Sequence, residues 1–194
     1  MRKGMFNEIK KIANYIRNNG FGVFPCKNSY MIIGPITGNA DQRIREIKGK
    51  KVVKPLVKIL LEISSDKNIL AYYSSLSKEK KDLIDIFKYS DLIFASTEKK
   101  IGFTFAMNPY ERMLLKILKK PIYASSSNIS GKPTPLSINK ISNKIKKCLD
   151  FILDIGELPK REDFAVINLD NLQWFREGHC TKLINQYLRN NNEK

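Results

Sequence analysis

Apolar residues recur along this chain in two rhythms. Phe6, Ile9, Ile12, Ala13 and Ile16 fall three or four apart, which is one stripe of a helix, and Gly20 is placed to end it. Residues 40–51 predict a second helix ending near Gly49. Residues 77–88 predict another, with Ser77 at its N-cap. In residues 108–120, Asn108, Pro109 and Glu111 stand at the N-cap, first and third helical positions, which predicts a capping box. Residues 137–149 predict a helix capped by Ser137, with Ile138, Ile141 and Ile145 inward, and residues 181–190 predict a last one. Between them lie short apolar runs bounded by turn residues. These predict strands at 21–25, 29–34, 54–63, 91–96, 101–107, 121–125, 151–155, 164–169 and 173–178. Such mixing predicts one α/β domain over residues 1–190, a twisted mixed sheet with packed helices around a basic concave pocket, followed by a short polar tail at 191–194. No internal repeat or long linker interrupts it.

Composition changes that picture in one respect. The chain has 194 residues, 42% of them hydrophobic, and a formal charge of +16 from 35 basic and 19 acidic residues. Such an excess favours polyanionic partners such as RNA or nucleotides. The basic residues are 27 Lys and 8 Arg, a mixture that an AT-rich genome also writes by drift. Their clustering says more. From Arg112 to Leu149 there are nine basic residues and no acidic one, and from Asp41 to Leu60 seven against two.

Several chemistries are excluded. Cys26, Cys148 and Cys180 are far apart and form no C-x-x-C, so a disulfide framework or zinc site is not expected. The single histidine, His179, follows Glu177-Gly178, reads as a surface residue and argues against a Ser-His-Asp arrangement. No dedicated metal ligands are visible. There is no P-loop and no dinucleotide fingerprint. No apolar run approaches the roughly 20 residues of a membrane span. A soluble, cytoplasmic protein is the expectation, with no membrane partner.

The stretch Pro121-Ile122-Tyr123-Ala124-Ser125-Ser126-Ser127-Asn128-Ile129-Ser130-Gly131 stands out. It puts hydroxyls and a carboxamide, and no carboxylate, at the end of a predicted strand. In α/β sheets ligands gather beyond strand C-termini, and such groups hold an anion without competing charge. The same residues also read as a plain polar turn.

Together with pieces elsewhere, this stretch resembles the YrdC-like family, the L-threonylcarbamoyladenylate synthases of tRNA modification. Ser126-Ser127-Asn128-Ile129-Ser130-Gly131-Lys132-Pro133 is similar to the family's S-A-N segment and proline turn. Lys48-Gly49-Lys50 and Lys54-Pro55-Leu56 stand where the family has K-x-R and a P-L strand. Ile101 to Pro109 and Lys120-Pro121 fit a middle strand and its helix. Pro25 and Tyr30 match the ends of an N-terminal P-T-E-x-V-Y segment. Asp154-Ile155-Gly156 and Phe175-Arg176-Glu177-Gly178 resemble two late motifs. The departures are as definite. Cys26-Lys27 replaces the family's Thr-Glu, Lys50 and Thr104 replace arginines, Phe164-Ala165 replaces a late Ser-Thr, and the W-P-G-P segment is unrecognisable around Lys88–Asp91. Ser127, standing where the family keeps alanine, reads as incidental.

The resemblance implies a nucleotidyltransferase. L-threonine, bicarbonate or CO2, and ATP would give threonylcarbamoyl-AMP and pyrophosphate, with Mg2+ held mainly by the ATP phosphates. Other threonylcarbamoyl-transfer proteins would carry the group on to tRNA. It implies Lys48 and Lys50 as catalytic groups and Lys50, Lys54, Ser126, Asn128, Thr134 and Arg176 as nucleotide-binding ones. Asn28 and Tyr30 would lie on the threonine side. The lost arginines suggest a second reading, a non-catalytic YrdC-like module that binds RNA, tRNA or a tRNA-modification partner through its basic face. An unrelated basic α/β nucleic-acid protein is a third, and no aromatic RNA-binding signature supports it.

Overall fold

The computed structural model describes residues 3–27, 29–37, 39–48, 56–129, 132–160 and 164–192. The first helix, α1 (Lys3–Arg17), buries Ile9, Ile12, Ala13 and Ile16. It does not end on Gly20 as its left-handed residue. Asn19 takes that conformation (φ 63°), while the Gly20 amide donates to Tyr15 O (2.7 Å) and the Asn19 amide to Ile16 O (3.1 Å). This is the Schellman arrangement. Gly20 is required for another reason: a Cβ there would meet Tyr15 O at 2.8 Å.

The strands are β1 (Gly22–Cys26), β2 (Ser29–Pro35), β3 (Val57–Leu60), β4 (Leu92–Ser96), β5 (Ile101–Phe105), β6 (Ile122–Ser126), β7 (Phe151–Ile152), β8 (Ala165–Asn168) and β9 (Trp174–Arg176). They form one mixed sheet in the order β7-β1-β2-β6-β3-β5-β4-β8-β9. The remaining helices are α2 (Ala40–Lys48), α3 (Lys67–Ser75), α4 (Lys78–Phe87), α5 (Pro109–Leu118), α6 (Asn143–Lys146) and α7 (Thr181–Asn192).

The alternation of side chains along β1 and β2 explains the layering. Phe24 and Ile33 pack with Ile9, Ile12 and Ile16 of α1 and Leu114 and Leu115 of α5. Val23 and Ile32, on the opposite face, pack with Ile44 and Ile47 of α2 and Ile145 of α6. A strand buried on both faces reads as a continuous apolar run, which is how these two read. The other half of the sheet has its own core, where Phe94, Phe103, Phe105 and Ile167 meet Leu83, Ile84 and Phe87 of α4 and Ile184 of α7.

Several elements differ from their sequence pattern. The expected helix at 137–149 is broken: a 3₁₀ turn at Ile138–Lys140 gives way to extended backbone at Ile141 (ψ 132°), and Ser142, not Ser137, caps α6 by accepting from the Lys144 amide. Ile141 and Ile145 are nevertheless buried and Ile138 packs against them. The inward face survives because the sheet demands it. The strand expected at 54–63 covers only 57–60 among the described residues, and α3, capped by Asp66 through the Asn68 and Ile69 amides, follows it unannounced. Ser77 stands at the N-cap of α4 without making a side-chain cap. Residues 191 and 192, expected in a tail, continue α7.

Candidate functional site

The end of β6 and the end of α2 meet. Ile44 and Ile47 seat α2 on the sheet, which delivers Lys48, in its last turn, to the Ser125–Asn128 segment. The Lys48 side chain is buried, at 7% exposure. Its Nζ donates to Ser126 O (2.7 Å), Ser126 Oγ (3.0 Å), Ser125 Oγ (3.2 Å) and Asn128 Oδ1 (3.3 Å). Ser126 Oγ donates to Asn128 Oδ1 (2.6 Å), and Asn128 Nδ2 donates to Lys132 O. The carboxamide is thus held with its oxygen toward the cation. The result is an ammonium, a hydroxyl and an amide fixed together beyond a strand's C-terminal end. Groups fixed before a ligand arrives can stabilise negative charge without reorganising.

Ser127 gains importance beside Ser126. Ser127, read from sequence as incidental, is fully buried; its amide (3.3 Å) and hydroxyl (2.7 Å) both donate to Tyr30 O. It pins the loop to β2. Tyr30 is the other half of that joint. Its amide donates to Pro135 O (3.3 Å), and its phenol donates to Gly156 O (2.8 Å), lies 3.2 Å from Asp154 Oδ1 and accepts from the Ile155 amide (2.9 Å). The side chain has 0% exposure, and burial pushes its pKa up. The phenol of Tyr30, which the resemblance puts on the threonine side, is buried and engaged by these protein groups.

Thr134 is half-buried in the segment that returns to Pro135. Arg176 is exposed on β9, where its Nε donates to Phe164 O (2.7 Å). Asn28, Lys50 and Lys54 lie outside the described residues. The Lys48, Ser126 and Asn128 side chains are therefore brought together, and Arg176 belongs to a second cluster.

That second cluster contains a residue whose role the motif comparison missed. Lys27, in the β1–β2 turn with φ 49°, sends its Nζ to Thr104 Oγ1 (2.8 Å) and Ser90 O (3.0 Å), and lies 4.9 Å over the Phe164 ring. Loss of water pushes its pKa from 10.5 down to about 8, against the pull of Glu111, Asp91, Cys180 and Cys26. The signal was visible as the one charged residue in "FGVFPCKNSYMIIG". The sign of its effect on stability follows. Between pH 8 and 10.5 the unfolded chain holds this proton and the folded chain has released it, so folding gains as pH rises. Below pH 8 the cost is constant, at about 3 kcal/mol. Thermal melts should show the stability of Lys27→Met relative to the parent falling steadily from pH 8 to 10.5.

The fold and the site define a class: α/β proteins with one twisted mixed sheet, helices on both faces, and a cation–hydroxyl–amide cluster at a strand end. The family model Sua5/YciO/YrdC, described as telomere recombination, matches residues 14–178, and the chain belongs to that family. A threonylcarbamoyl-AMP synthase of Pyrococcus abyssi is 27% identical over 175 residues, which is 84% of this chain. The chain spans about half, 51%, of that relative's length. Among solved structures, Escherichia coli YciO is similar with a TM-score of 0.76 and 22% identity, covering 91% of this chain and 92% of that one. P. abyssi Sua5 complexed with L-threonine is similar with a TM-score of 0.75 and 22% identity, covering 89% and 54%. Among the described residues no helix is long and apolar enough to cross a membrane.

Proposed function

We propose that this chain synthesises threonylcarbamoyl-AMP from L-threonine, bicarbonate or CO2, and ATP, releasing pyrophosphate, in support of threonylcarbamoyladenosine formation in tRNA. The observation that supports this most is the Lys48–Ser126–Asn128 cluster at the end of β6, in a chain of this family. Carboxylated threonine attacks the α-phosphate of ATP, so the protein forms no bond of its own. Its work is to hold two anions that repel each other and to offset charge developing on phosphorus. Ser126 and Asn128 would hold the nucleotide's phosphate and Lys48 would fix both, with Lys50, Lys54, Thr134 and Arg176 as further contacts. The cluster offers an ammonium, hydroxyls and an amide, which suit phosphate oxygens better than a metal, and no group of metal-ligating side chains is found among the described residues. Mg2+ is accordingly assigned to the ATP phosphates, where it would neutralise charge.

A second reading keeps one observation of its own. The nine basic residues between Arg112 and Leu149 include Lys116, Lys119, Lys120, Lys132, Lys140, Lys144 and Lys147 on the exposed surface, as a polyanion-binding module requires. One assay separates the two. Protein with ATP, Mg2+, bicarbonate and threonine should release pyrophosphate in a threonine-dependent manner, and Ser126→Ala should lower the rate about 10²–10³-fold, the usual loss for one donor to developing charge. No release by the parent protein, together with tight, salt-sensitive tRNA binding, would support the binding module instead.

A further inference from the structure

The resemblance counts Lys27 and Thr104 as separate departures, a lysine for a glutamate and a threonine for an arginine. In the folded chain they touch, at 2.8 Å. Thr104 Oγ1 donates its own proton to Leu92 O (2.7 Å), so what it offers Lys27 is a lone pair. The lysine of one departure thus bonds the threonine of the other, from the β1–β2 turn to β5.

The surroundings of this ammonium are incomplete. An ammonium carries three donors. Two are claimed, by Thr104 and by Ser90 O. Glu111, Asp91, Cys180 and Cys26 surround it, from α5, from the chain ahead of β4, from the chain ahead of α7, and from β1. None of their acidic groups comes within ion-pair distance of it among the described residues. Glu111 directs its Oε2 to the Met107 and Asn108 amides. The cation is largely dehydrated without a bonded counter-ion, and its residue keeps some exposure. A dehydrated charge left in that state is costly unless an anion joins it.

Its connections point toward the candidate site. The Phe164 ring beneath it is in the residue whose carbonyl accepts from Arg176. The same hairpin, through Tyr30 O, is bonded by Ser127 in the loop of Ser126 and Asn128. Lys27 thus sits on the turn that links the two clusters.

We propose that Lys27 is an anion-binding residue of this site, its third N–H donating to an oxyanion of the substrates, a carboxylate or a phosphate. The identity of those substrates rests on the function proposed above. Binding restores the charge that burial discourages, so above pH 8 it takes up a proton.

Calorimetric titrations of L-threonine, ATP and inorganic pyrophosphate, each alone, test this with the parent protein, Lys27→Met and Lys27→Arg. Runs at pH 8.5 in two buffers of different ionisation heat read the proton uptake. The expected result is that Lys27→Met weakens at least one ligand about 10- to 100-fold, the scale of a charge-assisted hydrogen bond, and abolishes the proton uptake. Lys27→Arg should recover most of the affinity. Loss for threonine alone assigns a carboxylate; loss for ATP and pyrophosphate assigns a phosphate. Unchanged affinities and proton uptake in Lys27→Met overturn the inference. A parent protein that binds neither threonine nor ATP overturns the proposed function, and Lys27 is then judged on pyrophosphate: absent binding, or equal binding by Lys27→Met, overturns it too.

Discussion

Replacing Lys48 by methionine is expected to lower threonine-dependent pyrophosphate release about 10³-fold or more, while leaving the chain folded. The side chain is a single tie for three loop residues, with four acceptor contacts on Ser125, Ser126 and Asn128. Methionine has similar length, so the apolar contacts of the stem are kept. What is lost is the charge and the register of the loop. One donor aimed at developing charge is worth roughly 10²–10³ in rate, and a misplaced loop adds a further factor. Lys48→Arg should not rescue fully, because a planar fork cannot reproduce four converging acceptors around a point charge. Far-UV and near-UV dichroism report the fold, and the pyrophosphate assay reports the site. A variant that folds and keeps parental activity would remove Lys48 from the proposed mechanism.

Glu111→Ala is expected to lower stability by about 3–4 kcal/mol. The carboxylate has 0% exposure and does three things. Its Oε2 accepts from the Met107 amide (2.9 Å) and the Asn108 amide (3.0 Å), closing the capping box of α5. It also supplies the largest electrostatic support for Lys27. Each stranded buried donor costs roughly 1–3 kcal/mol, and the loss of a cap falls in the same range. For a chain of this size each kcal/mol lowers Tm by about 2–4 °C, so thermal melts should fall by roughly 10 °C. Glu111→Gln keeps an acceptor oxygen for the two amides but not the charge, and should lie between the two. In both variants the pKa of Lys27 should drop below its already lowered value, which isotope-labelled lysine resonances would follow across pH 6–10. Burial raises the pKa of Glu111 itself, so the partnership weakens as pH falls through that raised value. Against that cost stand the Asn108 and Met107 amides, the Lys27 ammonium and the Cys26 thiol, which favour the charged form.

Much of this was legible along the chain, and most of the exceptions share a cause. Several residues whose partners are local announced themselves, although the Asp66 cap of α3 did not. Asn108, Pro109 and Glu111 predicted their capping box because all three act within one turn. Ile9, Ile12, Ala13 and Ile16 predicted a buried stripe because helical spacing fixes which side chains share a face. The family's serine–asparagine motif pointed to Ser126 and Asn128, and the structure places both beside Lys48. What stayed hidden depends on residues far away in sequence. Ser127 reads as a dispensable hydroxyl until Tyr30 O is placed beneath it. The burial of Tyr30 shows only when the 154–156 segment closes over its phenol. The break at Ile141 is invisible in a helical pattern that keeps its apolar face, because contact with the sheet, and not local propensity, sets the backbone there. Lys27 and Thr104 could each be seen as a departure, but nothing in one dimension shows that they meet.

These pairings also bear on how the protein comes into being. Lys48 meets Ser126 across 78 residues, Ser127 meets Tyr30 across 97, and Lys27 meets Thr104 across 77. The sheet order interleaves late strands with early ones, β6 lying between β2 and β3. Neither cluster can therefore form in a nascent chain until β6 and β5 have emerged, and closing such long loops precedes any reward from their contacts. Folding should be slow for a chain this size, with the binding loop among the last parts to acquire protection from hydrogen exchange. Until then the apolar hairpin of β1 and β2 waits without its neighbouring strand, an open edge on which chaperones and other chains compete with β6.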